Sequence, residues 1–356
     1  MNCSSFYRSF FRKIYIVSSL AGHHAVEHAM HVLRGIPVTF ITGRDDIPSN
    51  DLNSHTLFIN SPGASIVRRC PGSRGHICCN YLTVDLYEGC PIGCTYCIMK
   101  SYLNFSPITV NIQTEEAIGH IKDIARNNPG TTIRIGTGEV GDSLLIDPLF
   151  GISRQFIEDL APCTNVYFEL KTKTSWIDHL LDIPEKGNAV IGFSLNPQGI
   201  VKKEEGISAP LAARLAAAKK AAENGFFIAF HFDPVFSYDG WMDDYTEVIR
   251  KLKDISPKKI VWISLGTFRF TRDLREKIKD RWFLYDEFVP CKDKKYRYIQ
   301  HVRGEIYKIL VHTLKAAVPG VPLYMCMESP VMWRKIFRKN PRKLHQLCAI
   351  FKPARL

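Results

Sequence analysis

No apolar run in this 356-residue sequence exceeds strand length. The longest, such as GFFIAFHF at 225–232, fall far short of the roughly 20 residues that a bilayer-crossing helix needs. Near the start, RKIYIVSSLAG sets a basic pair before a short apolar stretch, as a secretory leader would; two serines interrupt it and a helical pattern follows, so a first strand is expected. Short-period repeats and low-complexity tracts are absent. So is a regular disulfide framework: the eleven cysteines are odd in number, in a chain too long to need staples, which points to a reducing cytoplasm. Acidic residues are in deficit, 35 against 47 Lys and Arg. The resulting charge of +12 favours attraction to phosphate-rich polymers such as DNA and supplies affinity rather than chemistry. Acids vanish altogether from residues 331–356, which carry eight Lys or Arg, a basic extension suited to solubility or to phosphate contact.

What is present is alternation. The opening segment reads strand, helix, strand (KIYIVS, AVEHAMHVLRG, PVTFIT), with Val26, Ala29, Met30 and Leu33 on one buried face of the helix. His24, His28 and His31 form a stripe on the opposite side, where a solvated face is a better expectation than a metal site, no carboxylate being placed to orient the rings. From Tyr81 onward, strand-like runs at 81–87, 131–136, 165–170, 189–195, 226–232 and 259–265 alternate with helical ones. In the clearest helix, APLAARLAAAKKAAENG, Ser208 is expected as the N-cap, Pro210 in the first turn and Gly225 as the stop. Six repeats predict an α/β fold: a partial (β/α)6 TIM-like barrel over residues 81–330, preceded by a small βαβ domain with a cysteine-containing connector at 1–80. Barrel chemistry sits at the carboxyl ends of strands, and there fall a cysteine loop, GTGEVGDS, KTKT, SLNPQG, HFDP and SLGT.

The cysteine loop, YEGCPIGCTYCIMKSYLN at 87–104, carries the most information. Cys90, Cys94 and Cys97 follow C-x3-C-x2-C spacing. A structural zinc site closes with four protein ligands, and a 4Fe-4S cluster normally takes four cysteines, so three thiolates in one loop leave one iron open. An open iron suits a cofactor that must chelate it and accept an electron, as S-adenosylmethionine does. The spacing, with Tyr96 before the last cysteine, is the fingerprint of the radical S-adenosylmethionine superfamily. A zinc site completed by Cys78, Cys79 or a histidine is the alternative. GTGE resembles the superfamily's Gly-Gly-Glu element: Gly136 and Gly138 allow close backbone approach, and Glu139 or Asp142 would accept hydrogen bonds from the methionine ammonium. Lys173 would pair with its carboxylate, and Ser194 and Asn196 would reach the ribose hydroxyls.

From Lys13 to Met327 the chain resembles the spore photoproduct lyase family, on CPIGCTYC, LKTKTSWIDHLL (170–181), FSLN (193–196) and RLAAAKKAAENGFFIAFHFDPVFSYDGWMDDY (214–245). The resemblance implies a lyase that uses a 4Fe-4S cluster and S-adenosylmethionine, a reducing partner such as flavodoxin or ferredoxin, and DNA carrying a thymine adduct flipped out of the duplex. A 5'-deoxyadenosyl radical would take a hydrogen from the adduct and a cysteine would return one. Lys173 and Ser194 match cofactor-contacting positions, and Tyr96 a tyrosine implicated in radical handling. Two positions depart from the family: Glu139 stands roughly where the hydrogen-donating cysteine belongs, and Ile98 replaces the second tyrosine of a pair. Cys326, at the end of PLYMC, and Cys78 or Cys79 are the candidate replacement donors, with buried structural cysteines as the alternative reading. A sister enzyme acting on another base or small molecule, and a non-catalytic iron-sulfur protein that binds nucleic acid, complete the functional expectations.

Overall fold

A computed structural model describes residues 3–62, 66–73, 75–345 and 347–355. Its strands in chain order are β1 (Lys13–Val17), β2 (Val38–Ile41), β3 (Thr56–Asn60), β4 (Val67–Arg69), β5 (Leu82–Val84), β6 (Tyr87–Glu88), β7 (Ile108–Asn111) and β8 (Ile133–Thr137). There follow β9 (Val166–Thr172), β10 (Ala189–Ser194), β11 (Phe227–Val235), β12 (Ile260–Thr267), β13 (Arg269–Thr271), β14 (Phe288–Pro290), β15 (Lys295–Tyr298) and β16 (Leu323–Met325).

Eight strands in the order β16-β12-β11-β10-β9-β8-β5-β4 form a curled half-barrel, parallel throughout except for β4, which runs antiparallel to β5. The central strands are apolar on both faces, as Val190, Ile191 and Phe193 in β10 illustrate, because helices cover one side and the barrel interior fills the other. The helix Leu211–Glu223 shows how the layers close. Its Ala217, Ala218, Ala221 and Ala222 are buried, and residues this small let a helix lie close to the sheet. Gly225 ends it at φ +95°, as expected. Ser208 is not its cap: Pro210 occupies that position, Leu211 N–H donates to Gln198 Oε1 at 2.8 Å, and the Ser208 hydroxyl is taken by Arg214 Nη2 at 2.6 Å.

A second sheet, ordered β2-β1-β3-β7-β6, packs beside the half-barrel in one continuous apolar core. Its first three strands precede residue 80 and its last two follow it, so segments on both sides of that position share the sheet. The expected single strand at 81–87 is divided for this reason. The chain leaves the half-barrel after Val84, crosses at Asp85 and Leu86, whose carbonyls accept Asn111 Nδ2 and Asn111 N–H, and joins the second sheet as β6. The cysteine loop therefore begins from an edge strand of the small sheet, not from the barrel itself. His24, His28 and His31 are all exposed, the solvated face that was expected. The basic extension is docked: Trp333 and Phe351 are buried, and the carbonyls of Phe351, Ala354 and Arg355 accept hydrogen bonds from Asn80, Arg69 and Asn128.

Candidate active site at the barrel mouth

The loop bearing Cys90, Cys94 and Cys97 is clamped at both ends. At its start, Gly89 N–H donates to the Val140 carbonyl at 3.0 Å, and Gly141 lies so close that a Cβ there would stand 2.5 Å from the Tyr87 carbonyl oxygen. Across its body, Thr95 N–H donates to Glu204 O and Ile207 N–H to Ile92 O, at 2.9 and 3.1 Å. Gly206 makes that second clamp possible: its φ is +45°, and a Cβ would stand 1.9 Å from Ile92 O. These contacts turn the three cysteines to the wall of a cavity of about 660 Å³ at the strand ends, within the size range of ligand pockets.

Most of the expected cofactor residues line this cavity: Gly138, Glu139, Asp142, Lys173 and Ser194. Gly138, at φ +85°, approaches Lys171 and Ser143 so closely that a Cβ would meet them at 2.8 Å. Asp142 is committed to the fold. Its Oδ1 accepts Leu144 N–H, Leu145 N–H and Thr172 Oγ1 at 2.9–3.0 Å, and its Oδ2 accepts Lys173 N–H at 2.7 Å. Asp142 thus shapes the loop that presents Lys173, and Glu139 is the carboxylate left to face a ligand. Burial opposes the charge on Lys173, but the neighbouring Cys94 and Glu205 outweigh it and push its pKa up.

Two expected cofactor residues lie elsewhere. Gly136 is buried in β8 away from the cavity, where a Cβ would meet Glu169 O and the Tyr81 hydroxyl at 2.2 Å, so its smallness serves strand packing. Asn196, 2% exposed, does not line the cavity. Its amide donates to Glu205 Oε1 at 2.8 Å and its carbonyl accepts the Tyr245 hydroxyl at 2.8 Å, leaving nothing free for a ribose. Tyr96 lines the cavity and its hydroxyl donates to Glu205, which also receives Arg214 in a fully buried ion pair. Glu205 is the residue that sequence reasoning missed: within VKKEEG it looks like one more solvated charge.

Among the candidate hydrogen donors, Cys79 and Cys326 line the cavity and Cys78 does not; Cys70 joins them there. The opposite wall holds Lys171, His231 and the Asp233–Arg269 pair, in which Arg269 Nη1 and Nη2 lie 2.9 and 3.2 Å from the two carboxylate oxygens. His231 bridges Ser264 Oγ at 2.6 Å and Glu169 Oε1 at 2.7 Å. KTKT and HFDP mark these strand ends in the sequence, but nothing in it separates Lys171 from Lys173 or assigns Asp233 a partner. Among the described residues no three Cys, His, Asp or Glu side chains are gathered at ion-gripping spacing, the cysteine loop included.

A curled parallel half-barrel with a three-cysteine loop and a glycine-opened cavity at its mouth is the architecture of the radical S-adenosylmethionine enzymes. The family model for spore photoproduct lyase matches residues 77–312, and the chain belongs to that family of radical S-adenosylmethionine lyases. It is 24% identical over 243 residues to the spore photoproduct lyase of Clostridium acetobutylicum, covering 68% of this chain and 70% of the relative. To that of Bacillus subtilis it is 25% identical over 203 residues, covering 56% of this chain and 59% of the relative, less than two thirds of its length. A solved spore photoproduct lyase mutant with bound AdoMet and dinucleoside spore photoproduct superposes at TM-score 0.77 with 19% identity, over 90% of this chain and 98% of the other. At that identity the likeness is one of fold.

Proposed function

We propose that this protein is a spore photoproduct lyase-like enzyme in which Cys90, Cys94 and Cys97 hold a 4Fe-4S cluster and S-adenosylmethionine occupies the cavity beside it. The observation that carries this reading is the convergence of the three thiols with Gly138, Glu139, Lys173 and Ser194 on one cavity wall. The donor set fits: three sulfur ligands from one clamped loop, with cationic and small residues beside them rather than a fourth thiolate from the same loop. Bound there, the pair supplies one-electron cleavage chemistry and a hydrogen-abstracting radical.

The chain's own residues bind and orient. The Lys173 ammonium neutralises the methionine carboxylate, Glu139 accepts from its ammonium, and Gly138 lets the backbone approach. Ser194 offers a hydroxyl at the end of β10. Tyr96, fixed by Glu205, forms the floor next to Cys97. A hydrogen atom must be returned to the substrate, and Glu139 cannot do this, since a carboxylate has no weak bond to hydrogen; the thiols of Cys326 and Cys79 are the groups in the cavity that have one. The substrate proposed is a thymine adduct in DNA, with the net positive charge attracting the phosphate backbone. The replacement of a cysteine by Glu139 and of a tyrosine by Ile98 favours, as the second reading, the same radical chemistry on a different base.

Anaerobic reconstitution, reduction with dithionite and incubation with S-adenosylmethionine and dinucleoside spore photoproduct tests the proposal. Formation of 5'-deoxyadenosine with regenerated thymidine is expected. Formation of 5'-deoxyadenosine without thymidine selects the second reading, and absence of both from a fully loaded protein overturns the assignment.

A further inference from the structure

Four cysteines outside the cluster loop are brought together by long-range backbone pairing. Cys70 continues the β4–β5 register, its N–H donating to Tyr81 O at 2.9 Å. On the other side, Ile77 pairs with Glu328 in an isolated antiparallel bridge, Ile77 N–H donating to Glu328 O at 2.9 Å. That bridge is anchored, because Glu328 is buried and paired with Arg303 at 3.1 Å. The connecting strap is held by Lys295, whose Nζ donates to Ser73 Oγ at 3.0 Å. Carried two residues further, the antiparallel register sets Cys79 opposite Cys326, which follows β16 and is fixed by its own N–H to Leu265 O at 2.8 Å. Directly opposed residues in antiparallel strands have Cα atoms about 4.5–5.5 Å apart, inside the range that a disulfide spans. Both residues line the cavity, and Cys78, whose side chain alternates away, does not.

We propose that Cys79 and Cys326 are a dithiol pair that returns the hydrogen atom to the substrate radical and closes as a disulfide, one disulfide for each product formed. This rests on the radical reading above and deepens it by naming the donor and its resolving partner. In the step, the Cys326 S–H bond breaks and a C–H bond forms on the substrate. The Cys79 thiolate then adds to the Cys326 sulfur to make the S–S bond, and the surplus electron leaves to a one-electron acceptor of the iron-sulfur class. A thiol and a thiolate thus become a disulfide, a hydrogen atom and an electron. The environments suit the division of roles. Burial holds Cys326 protonated, as a hydrogen-atom donor must be, whereas the hydrogen bond from Cys78, with Arg134 and Lys171 nearby, lowers Cys79 towards the thiolate that resolution requires.

Two measurements on the full chain test this. First, cluster-free protein is titrated with diamide, free thiols are blocked, and disulfide-linked peptides are mapped. Among Cys70, Cys78, Cys79 and Cys326 the first linkage is expected to be Cys79–Cys326, and to persist in C70S and C78S; a Cys78–Cys79 or Cys70-linked product instead, or no linkage within the four, overturns the proposal. Second, reconstituted protein freed of external thiols is given S-adenosylmethionine and dinucleoside spore photoproduct, and the same linkage is quantified against 5'-deoxyadenosine. A ratio near one is expected. Accumulating 5'-deoxyadenosine with both thiols still reduced overturns the dithiol pair alone, whereas no 5'-deoxyadenosine from the unsubstituted protein overturns the radical reading beneath it.

Discussion

The carboxylate of Glu205 accepts the hydroxyl hydrogen of Tyr96, the residue immediately before the last cysteine of the cluster loop. The same carboxylate is bonded to Asn196 and ion-paired with Arg214, and the Glu205 and Arg214 side chains are fully buried. One charged group thus ties the loop to the strand end of β10 and to the helix behind it.

Removing that charge leaves Arg214 buried and unpaired, which in buried pairs costs about 3–5 kcal/mol. Glu205→Ala is therefore expected to lower unfolding free energy by about that amount in urea titration. Arg214→Met combined with Glu205→Leu is expected to recover most of the loss while leaving Tyr96 without its acceptor.

The same pair sets an acid limit. Burial acts to raise the pKa of Glu205, but Arg214 and Lys173 outweigh it and hold the folded value below the ordinary glutamate value of 4.5. A depressed folded pKa means that the unfolded chain binds the proton first, so this contribution is complete above about pH 4.5 and is lost as pH falls through the folded value. Stability measured from pH 6 downward should fall more steeply in the parent than in the apolar double variant.

Gly206→Ala places a Cβ 1.9 Å from Ile92 O at a left-handed backbone position. The clamp on the cysteine loop has to open, so iron and sulfide content after reconstitution should drop at least severalfold, with thermal unfolding affected far less than in Glu205→Ala. Gly199, where an added Cβ would meet no heavy atom within 4 Å, serves as the control: Gly199→Ala should load normally.

Lys173→Gln removes the ammonium that faces the cavity. Hydrogen bonds to charged groups contribute about 1.5–3 kcal/mol, equivalent to roughly tenfold to 150-fold in affinity. Equilibrium binding of S-adenosylmethionine to the reconstituted protein should weaken by that factor, while cluster content stays unchanged.

The strands of the half-barrel and the cysteine loop were legible because their signals are local: continuous apolar runs for strands buried on both faces, and fixed spacing for three thiols. The cap at Ser208 was misplaced because a tertiary contact from Gln198 competes for the helix terminus. Asn196 looked like a ribose ligand from its place after β10, yet Glu205 and Tyr245 consume it, a pairing that no sequence window contains. Gly136 read as a cofactor glycine for the same reason: its two crowding neighbours, Tyr81 and Glu169, are distant in the chain. The opposition of Cys79 and Cys326 depends on a bridge between residues 77 and 328 and was invisible for that reason.

The most direct test of the central claim is electron paramagnetic resonance of the anaerobically reconstituted, dithionite-reduced protein with and without S-adenosylmethionine. A reduced 4Fe-4S signal whose g-values shift on addition of S-adenosylmethionine is predicted, lost on substitution of Cys90, Cys94 or Cys97 by alanine. A signal indifferent to S-adenosylmethionine, or a loop filled by a closed tetrathiolate zinc, would contradict the account.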